Sequence, residues 1–245
     1  MAIDDAVTDL PARAGLLAAI EAAWARIAEP GTWWSGVERI AIVAEARAAG
    51  ECALCRRRKA ALSPYAEAGS HGSTSLLPEP AVEAIHRLAT DAGRITEAWA
   101  RSLCDGTLGE ARYVEIVSLV AIVTALDTFE HALGRPRRPL PVAKAGAPTR
   151  RRPAAARRGL AWVATLAPED AAAGDPNPYP VHGDKNIHRA LSLVPAEVFN
   201  FFDLDVELYL KDHEIRDFAR EHRAITHAQI ELIAARASAL NRCFY

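Results

Sequence analysis

The chain is predicted to be all-α. Three observations carry this. Apolar residues recur at mixed three-and-four spacing in segment after segment, the period of a helix with one buried side. Proline and glycine punctuate the sequence at helix lengths. No stretch alternates apolar and polar residues for long enough to argue for a sheet. With 245 residues, 50% of them hydrophobic, the chain can bury a large core.

The first helix is expected over residues 4–28, capped late by Asp9 and ended by Pro30-Gly31, with Leu16, Leu17, Ile20, Ala23, Trp24 and Ile27 on its apolar side. A second covers 36–49, where Val37, Ile40, Ala41, Val43 and Ala44 face inward and Glu38 and Glu45 share a face. Cys52-Ala53-Leu54-Cys55 and the basic run Arg56 to Lys59 follow, and this helix is expected to continue through Leu62 until Ser63-Pro64 stops it. Residues 69–80 read as a Gly/Ser/Pro loop, 81–88 and 94–103 as two helices, and 112–133 as a long buried helix stopped by Gly134 and Pro136. Residues 135–158, rich in Pro, Ala, Gly and Arg, read as a linker or a surface arm, and irregular chain continues to 185. Helices return over 186–202 and 204–210. The last stretch, 225–245, reads as an amphipathic helix with a buried stripe of Ile230, Leu232, Ile233, Ala237 and Leu240. Glu231 sits inside that stripe, where a charge is costly without a partner or a job.

The net charge of −2 and pI near 6.5 give no global electrostatic case for nucleic acid or an anionic membrane. The Arg clusters at 56–58, 135–138, 150–152 and 157–158 lack interleaved aromatics and read as solvated faces or subunit contacts. The longest apolar run, 116–126, is too short to span a bilayer. The N-terminus is acidic, without the apolar stretch of a secretory signal. Four cysteines are too few for a secreted disulfide scaffold, so a cytoplasmic location is expected. Zinc wants four ligands, and only Cys52 and Cys55 lie close in sequence, so no metal and no other cofactor is expected. Cys104, beside Asp105, reads as a bystander, and His71, His86 and His131 carry no motif.

Two thiols at C-x-x-C spacing can close a small disulfide ring, one attacking as thiolate and the other resolving the intermediate. A cysteine at a helix N-terminus is helped by free amide donors and the helix dipole. The end of the chain carries a further pattern. Glu231 lies twelve residues before Cys243, and Cys243-Phe244-Tyr245 fills the first three places of a second C-x-x-C. A continuous helix would hold Glu231 about 18 Å from Cys243, so joint action requires the helix to break near Asn241.

These residues resemble the active-site segment of the alkylhydroperoxidase D-like family, part of the carboxymuconolactone decarboxylase superfamily, whose pattern is a glutamate, a helix, C-x-x-C and then a histidine. Two further stretches resemble that family's helices: EARYVEIVSLVAIVTALDTFEHALG (110–134) and IHRALSLVPAEVFNFFDL (187–204). The wording ALNRCFY resembles its selenoprotein branch, in which the fourth position is selenocysteine. The resemblance implies an alkylhydroperoxidase D-like helical bundle of two related units. These are 1–142 with the complete C-x-x-C, a linker or arm over 143–185, and 186–245 cut at its own C-x-x-C by a selenocysteine codon read as a stop. It implies a thiol- or selenol-dependent peroxidase or disulfide oxidoreductase. The substrate is then a hydroperoxide or a protein disulfide and the partner a thiol reductant, in a homo-oligomer that uses neither nucleic acid nor membrane.

The catalytic residues implied are Cys243 with Glu231 as proton relay, and Cys52 with Cys55; His227 and Glu38 are secondary relay candidates. The first pair departs from the family pattern, with Ile40 where the glutamate would stand and Lys59 where the histidine would. The family histidine of the second pair would fall beyond Tyr245. Lactone decarboxylation, also found in the superfamily, does not need a redox C-x-x-C. The rival reading is a non-catalytic helical oligomer or partner-binding protein whose C-x-x-C is vestigial.

Overall fold

The computed structural model describes residues 12–73, 75–171 and 176–243. Among them the fold is all-α. The helices are α1 Ala14–Ile27, α2 Gly36–Ala48, α3 Ala53–Ala60, α4 Glu79–Asp91, α5 Glu97–Cys104, α6 Glu110–Ala132, α7 Tyr179–His182, α8 Asn186–Arg189, α9 Pro195–Leu208, α10 Asp212–Ile215 and α11 His227–Leu240. The one extended pairing among the described residues is an isolated bridge between Arg157 and Thr165. No helix among them is long and apolar enough to cross a membrane.

Local chemistry sets several of the helix ends. Ser35 accepts from the Glu38 amide while Glu38 accepts from the Ser35 amide at 2.8 Å, a reciprocal box that starts α2. Glu38 is therefore spent on the cap, which corrects its reading as a relay. Thr96 caps α5, and Thr226 with Gln229 forms a second box at α11. The long helix α6 ends in a Schellman turn: Gly134 at φ 67° lets the Arg135 amide return to the Glu130 carbonyl at 2.8 Å. Helix α3 stops at Ala60, short of the predicted Leu62. The guanidinium of Arg94 takes the Arg58, Lys59 and Ala61 carbonyls, satisfying the last turn from another element. The expected cap Asp9 lies outside the described residues, and α1 starts at Ala14 after an extended Arg13 with no side-chain cap.

Helix α6 is the central element. Ile116, Leu119, Ile122 and Leu126 are fully buried, and α2, α4, α5 and α9 pack around it. Each large aliphatic side chain so buried contributes about 1.5–3 kcal/mol. Helix α1 lies along α9. The segment read as the start of a second unit shares this core, through Leu193, Val194, Val198, Phe202 and Leu204. Residues 135–167 run over the surface without helix. Lys144, Thr149 and Arg150 donate backbone bonds to the carbonyls of Ala28, Gly31 and Thr32, and Ala156, Val163 and Ala164 tuck into the core.

One charged group crosses the core. Arg39 of α2 is buried and pairs with Glu115 of α6 and, at 2.8 Å, with Glu197 of α9. Glu115 also accepts from the Trp33 amide at 2.7 Å. A side chain at Gly31 would fall onto Glu115 and Arg39, so the turn before α2 requires glycine. Burial and the Glu197 charge push the Glu115 carboxyl above its ordinary range, against the pull of Arg39.

Helix α11 differs from its prediction. Leu232, Ile233 and Leu240 are 70%, 61% and 65% exposed, and His227 is its one buried residue. The apolar stripe exists, but no element of the described chain covers it. One side of it, through Ile230, Ile233, Ala234 and Ala237, lines an open groove of about 640 Å³ with Leu16, Phe129 and Leu208.

Arg39→Met is expected to cost about 3–5 kcal/mol at neutral pH, because it strands two buried carboxylates. Urea unfolding measures this. The loss should shrink as pH falls, since burial has already raised Glu115 and protonation discharges it.

Candidate thiol and histidine site

The first C-x-x-C lies at the start of α3. Cys52 is the extended residue before the helix and Cys55 sits in its first turn. The backbone amides of Cys55 and Gly72 lie against the Cys52 sulfur. This is the helix-start placement that favours a thiolate. Both sulfurs are nearly buried, at 9% exposure for Cys52 and 4% for Cys55.

Two histidines distant in sequence converge on them. His71 comes from the loop between α3 and α4. Its Nδ1 lies 3.5 Å from Cys52 Sγ and 3.7 Å from Cys55 Sγ. His86, buried on α4, places Nδ1 3.2 Å from Cys55 Sγ. The imidazole ring centres are 4.0 Å apart.

Each ring is oriented by a carboxylate on its far nitrogen: His71 Nε2 meets Glu83 at 2.7 Å, and His86 Nε2 meets Glu45 at 2.7 Å. The carboxylates are held in turn. Arg58 donates to both oxygens of Glu83, at 2.9 and 2.8 Å, and Trp99 Nε1 adds a bond at 3.3 Å. Ser73 donates to Glu45 at 2.8 Å. A cleft of about 220 Å³ opens beside His71, lined by Gly69, Ser73, Leu77 and Glu83.

The electrostatics follow from these contacts. Burial pushes the Cys55 thiol up, but hydrogen bonds from His71 and His86 outweigh it and bring the group down to about 6. Burial raises Cys52 as well, and the Cys55 amide and His71 hold it below the ordinary thiol value. Burial disfavours the His71 cation, yet Cys55, Glu83 and Cys52 raise it to about 10. Desolvation of Glu83 is overcome by His71 and Arg58, which lower it to about 2. His86 is raised against burial by Cys55 and Glu45, and Glu45 is lowered against burial by His86 and Ser73. The arginines of the basic run are engaged with carboxylates. Arg56, Arg57 and Arg58 end on Glu51, Glu67 and Glu83.

The C-terminal candidates are arranged differently. Helix α11 runs unbroken to Leu240 and closes in a Schellman turn, with Arg242 at φ 53° and the Cys243 amide on the Ser238 carbonyl at 2.9 Å. The expected break near Asn241 is there, but it ends the helix without folding the chain back. Cys243 is exposed just past the helix C-terminus. Glu231 is half exposed and engaged with the Tyr209 hydroxyl at 2.5 Å and with His227, one turn earlier, at 3.4 Å. Both contacts belong to the helix surface, and neither relay candidate is brought to Cys243.

Sequence reasoning missed His71, His86, Glu45 and Glu83 as site residues. A trace was present: fifteen residues separate Cys55 from His71, a gap common between a C-x-x-C and a histidine ligand. His86 lies fifteen residues beyond that, across a loop whose path only the packing defines.

Compared with protein-family models, with curated proteins and with solved structures, the chain has no match.

In reduced, chelator-treated protein, thiolate ultraviolet absorbance should appear with a midpoint near pH 6, from Cys55. Glu83→Gln should move that midpoint upward by weakening the His71 cation. Cys104, raised to about 11 by burial beside Glu110, should resist alkylation at neutral pH in the same native samples.

Proposed function

We propose that this chain is a thiol-dependent oxidoreductase of the alkylhydroperoxidase D-like type, reducing hydroperoxides through Cys52 and Cys55. One observation carries the reading: each sulfur lies within reach of an imidazole that is backed by a carboxylate on its other nitrogen. Glutamate, histidine and two cysteines are the residue types that the resembled family gathers within one short segment. Here they come from α2, α3, α4 and the intervening loop.

The chemistry assigned to them is as follows. The Cys55 thiolate attacks the terminal oxygen of the hydroperoxide, and the O–O bond breaks. The departing alkoxide takes a proton from an adjacent imidazolium and leaves as the alcohol. Cys52 then attacks the sulfenic acid on Cys55, closing the disulfide, and hydroxide leaves as water with a proton from His71. An external thiol reductant returns two electrons and two protons. The near-burial of both sulfurs favours a small hydroperoxide over a protein disulfide as substrate. Cys243 and Glu231 are given no step in this scheme.

Cys52→Ser and Cys55→Ser should each abolish peroxide turnover, while Cys243→Ser should leave it within about twofold, in the sense of independent sites. A peroxide-consumption assay with a dithiol reductant measures this. Loss of activity in Cys243→Ser alone would transfer the chemistry to the C-terminus.

A second reading, an assembly protein built from copies of this chain, is favoured by the uncovered apolar face of α11. It is compatible with the first. Sedimentation of the intact chain should show an oligomer that the double variant Leu232→Glu, Ile233→Glu dissociates. A wild-type monomer at high concentration would remove this reading.

A further inference from the structure

We propose that Cys52, Cys55, His71 and His86 together bind one zinc ion in a tetrahedral Cys2His2 site, on the same sulfurs that the redox reading uses. The four candidate ligand atoms, two Sγ and two Nδ1, all lie within 4.8 Å of one another. Zinc–sulfur bonds of about 2.3 Å and zinc–nitrogen bonds of about 2.0–2.1 Å at tetrahedral angles place S and N about 3.5 Å apart. The observed S···N separations are 3.5, 3.7 and 3.2 Å. Three of the six edges of that tetrahedron are thus already close to these lengths, and no two of the four atoms are more than 4.8 Å apart.

The surroundings point the same way. Both histidines turn the same nitrogen, Nδ1, toward the sulfurs and engage Nε2 with a carboxylate. That is the carboxylate–histidine–metal arrangement, in which the outer group fixes tautomer and ring angle. Glu83 is itself clamped by Arg58, and Glu45 by Ser73, so both outer carboxylates are fixed. Two thiolates neutralise the ion's charge, which makes near-burial of the centre tolerable. Sulfur and imidazole donors in a tetrahedron suit zinc and disfavour magnesium or calcium. All four coordination positions come from protein, so the ion would be held rather than open to substrate.

The site would tie the start of α3, the loop bearing His71 and α4 to one point. That loop contains little regular structure of its own, so metal binding contributes to its order. A further consequence rests on the redox reading: zinc and the disulfide exclude each other. Two zinc-bound thiolates, one hydroperoxide and two protons give the disulfide, an alcohol, a water and the released ion. Zinc would then protect the dithiol until an oxidant reaches it.

The test uses the intact chain, purified reduced from zinc-supplemented cells. Elemental analysis should find one zinc per chain, and X-ray absorption should fit two sulfur and two nitrogen neighbours. Cobalt replacing zinc should give the intense thiolate-to-metal bands of a tetrahedral site. Glu83→Gln should weaken zinc 10–100-fold in a chelator competition, and circular dichroism confirms that this variant is folded. Folded, reduced protein that takes up neither zinc nor cobalt would overturn the proposal, whatever its peroxidase activity. Zinc bound with this ligand set, but with no peroxide turnover and no release on oxidation, would uphold the site and sink the redox reading. One zinc released per disulfide formed supports both.

Discussion

The buried guanidinium of Arg39 is the interaction on which the rest of the molecule depends. It sits where α2, α6 and α9 meet and pairs with a carboxylate from each of the other two helices. Replacing all three charged groups together by apolar residues of the same shape would cost little, because removing three charges from water is itself costly, whereas removing the arginine alone strands two carboxylates. What it contributes is specificity. An apolar contact tolerates rotation and sliding, whereas a guanidinium between two carboxylates fixes the rotation of α2 about its axis and its register against α6. Gly31 and the Trp33 amide complete the same cluster and fix the turn that delivers the chain into α2.

The site inherits that precision. Glu45 lies on α2, less than two turns beyond Arg39, and must reach His86 on α4 across the helix interface. Further along α2, Arg47 bonds Asp127 of α6 through two nitrogens, at 2.9 and 2.6 Å, and takes the Arg138 carbonyl of the arm. The helix is thus pinned on both sides of Glu45. On the opposite side of the thiols, Arg58 joins Glu83 so that α3 and α4 hold each other's functional residues. A dithiol alone is an ordinary feature of a helical protein. Two oriented imidazoles set this one apart, and the proposed proton transfer and the proposed metal site both need the same nitrogens aimed at the same sulfurs.

The two cysteine motifs show how much depends on where a helix begins. Cys52 precedes α3, with amides directed at its sulfur, while Cys243 follows α11 at the end where carbonyls gather. Their sequence patterns look alike, and the C-terminal one has the better-spaced glutamate. In the folded chain the two histidines gather at the first. The exposed stripe of α11 has the same lesson for packing: periodicity predicts that a face wants cover, and says nothing of whether the same chain provides it.

The sequence by itself determined the helical class, the position of the long central helix to within about two residues at either end, and the absence of helix over residues 135–158. These follow from period, proline and glycine, which act locally. It also brought Cys52 and Cys55 together, since C-x-x-C spacing alone places two sulfurs near each other. The Ser35–Glu38 box was equally local, although Glu38 read alone suggested a relay. Only the tertiary structure decided what surrounds the thiols. His71 and Glu83 are twelve residues apart, His86 and Glu45 forty-one, and nothing periodic links them. Their meeting depends on the packing of α2 against α4 and on the course of a loop. Charge pairing in a core is a long-range property, set by which helices touch and how they are turned, and a linear pattern does not encode it.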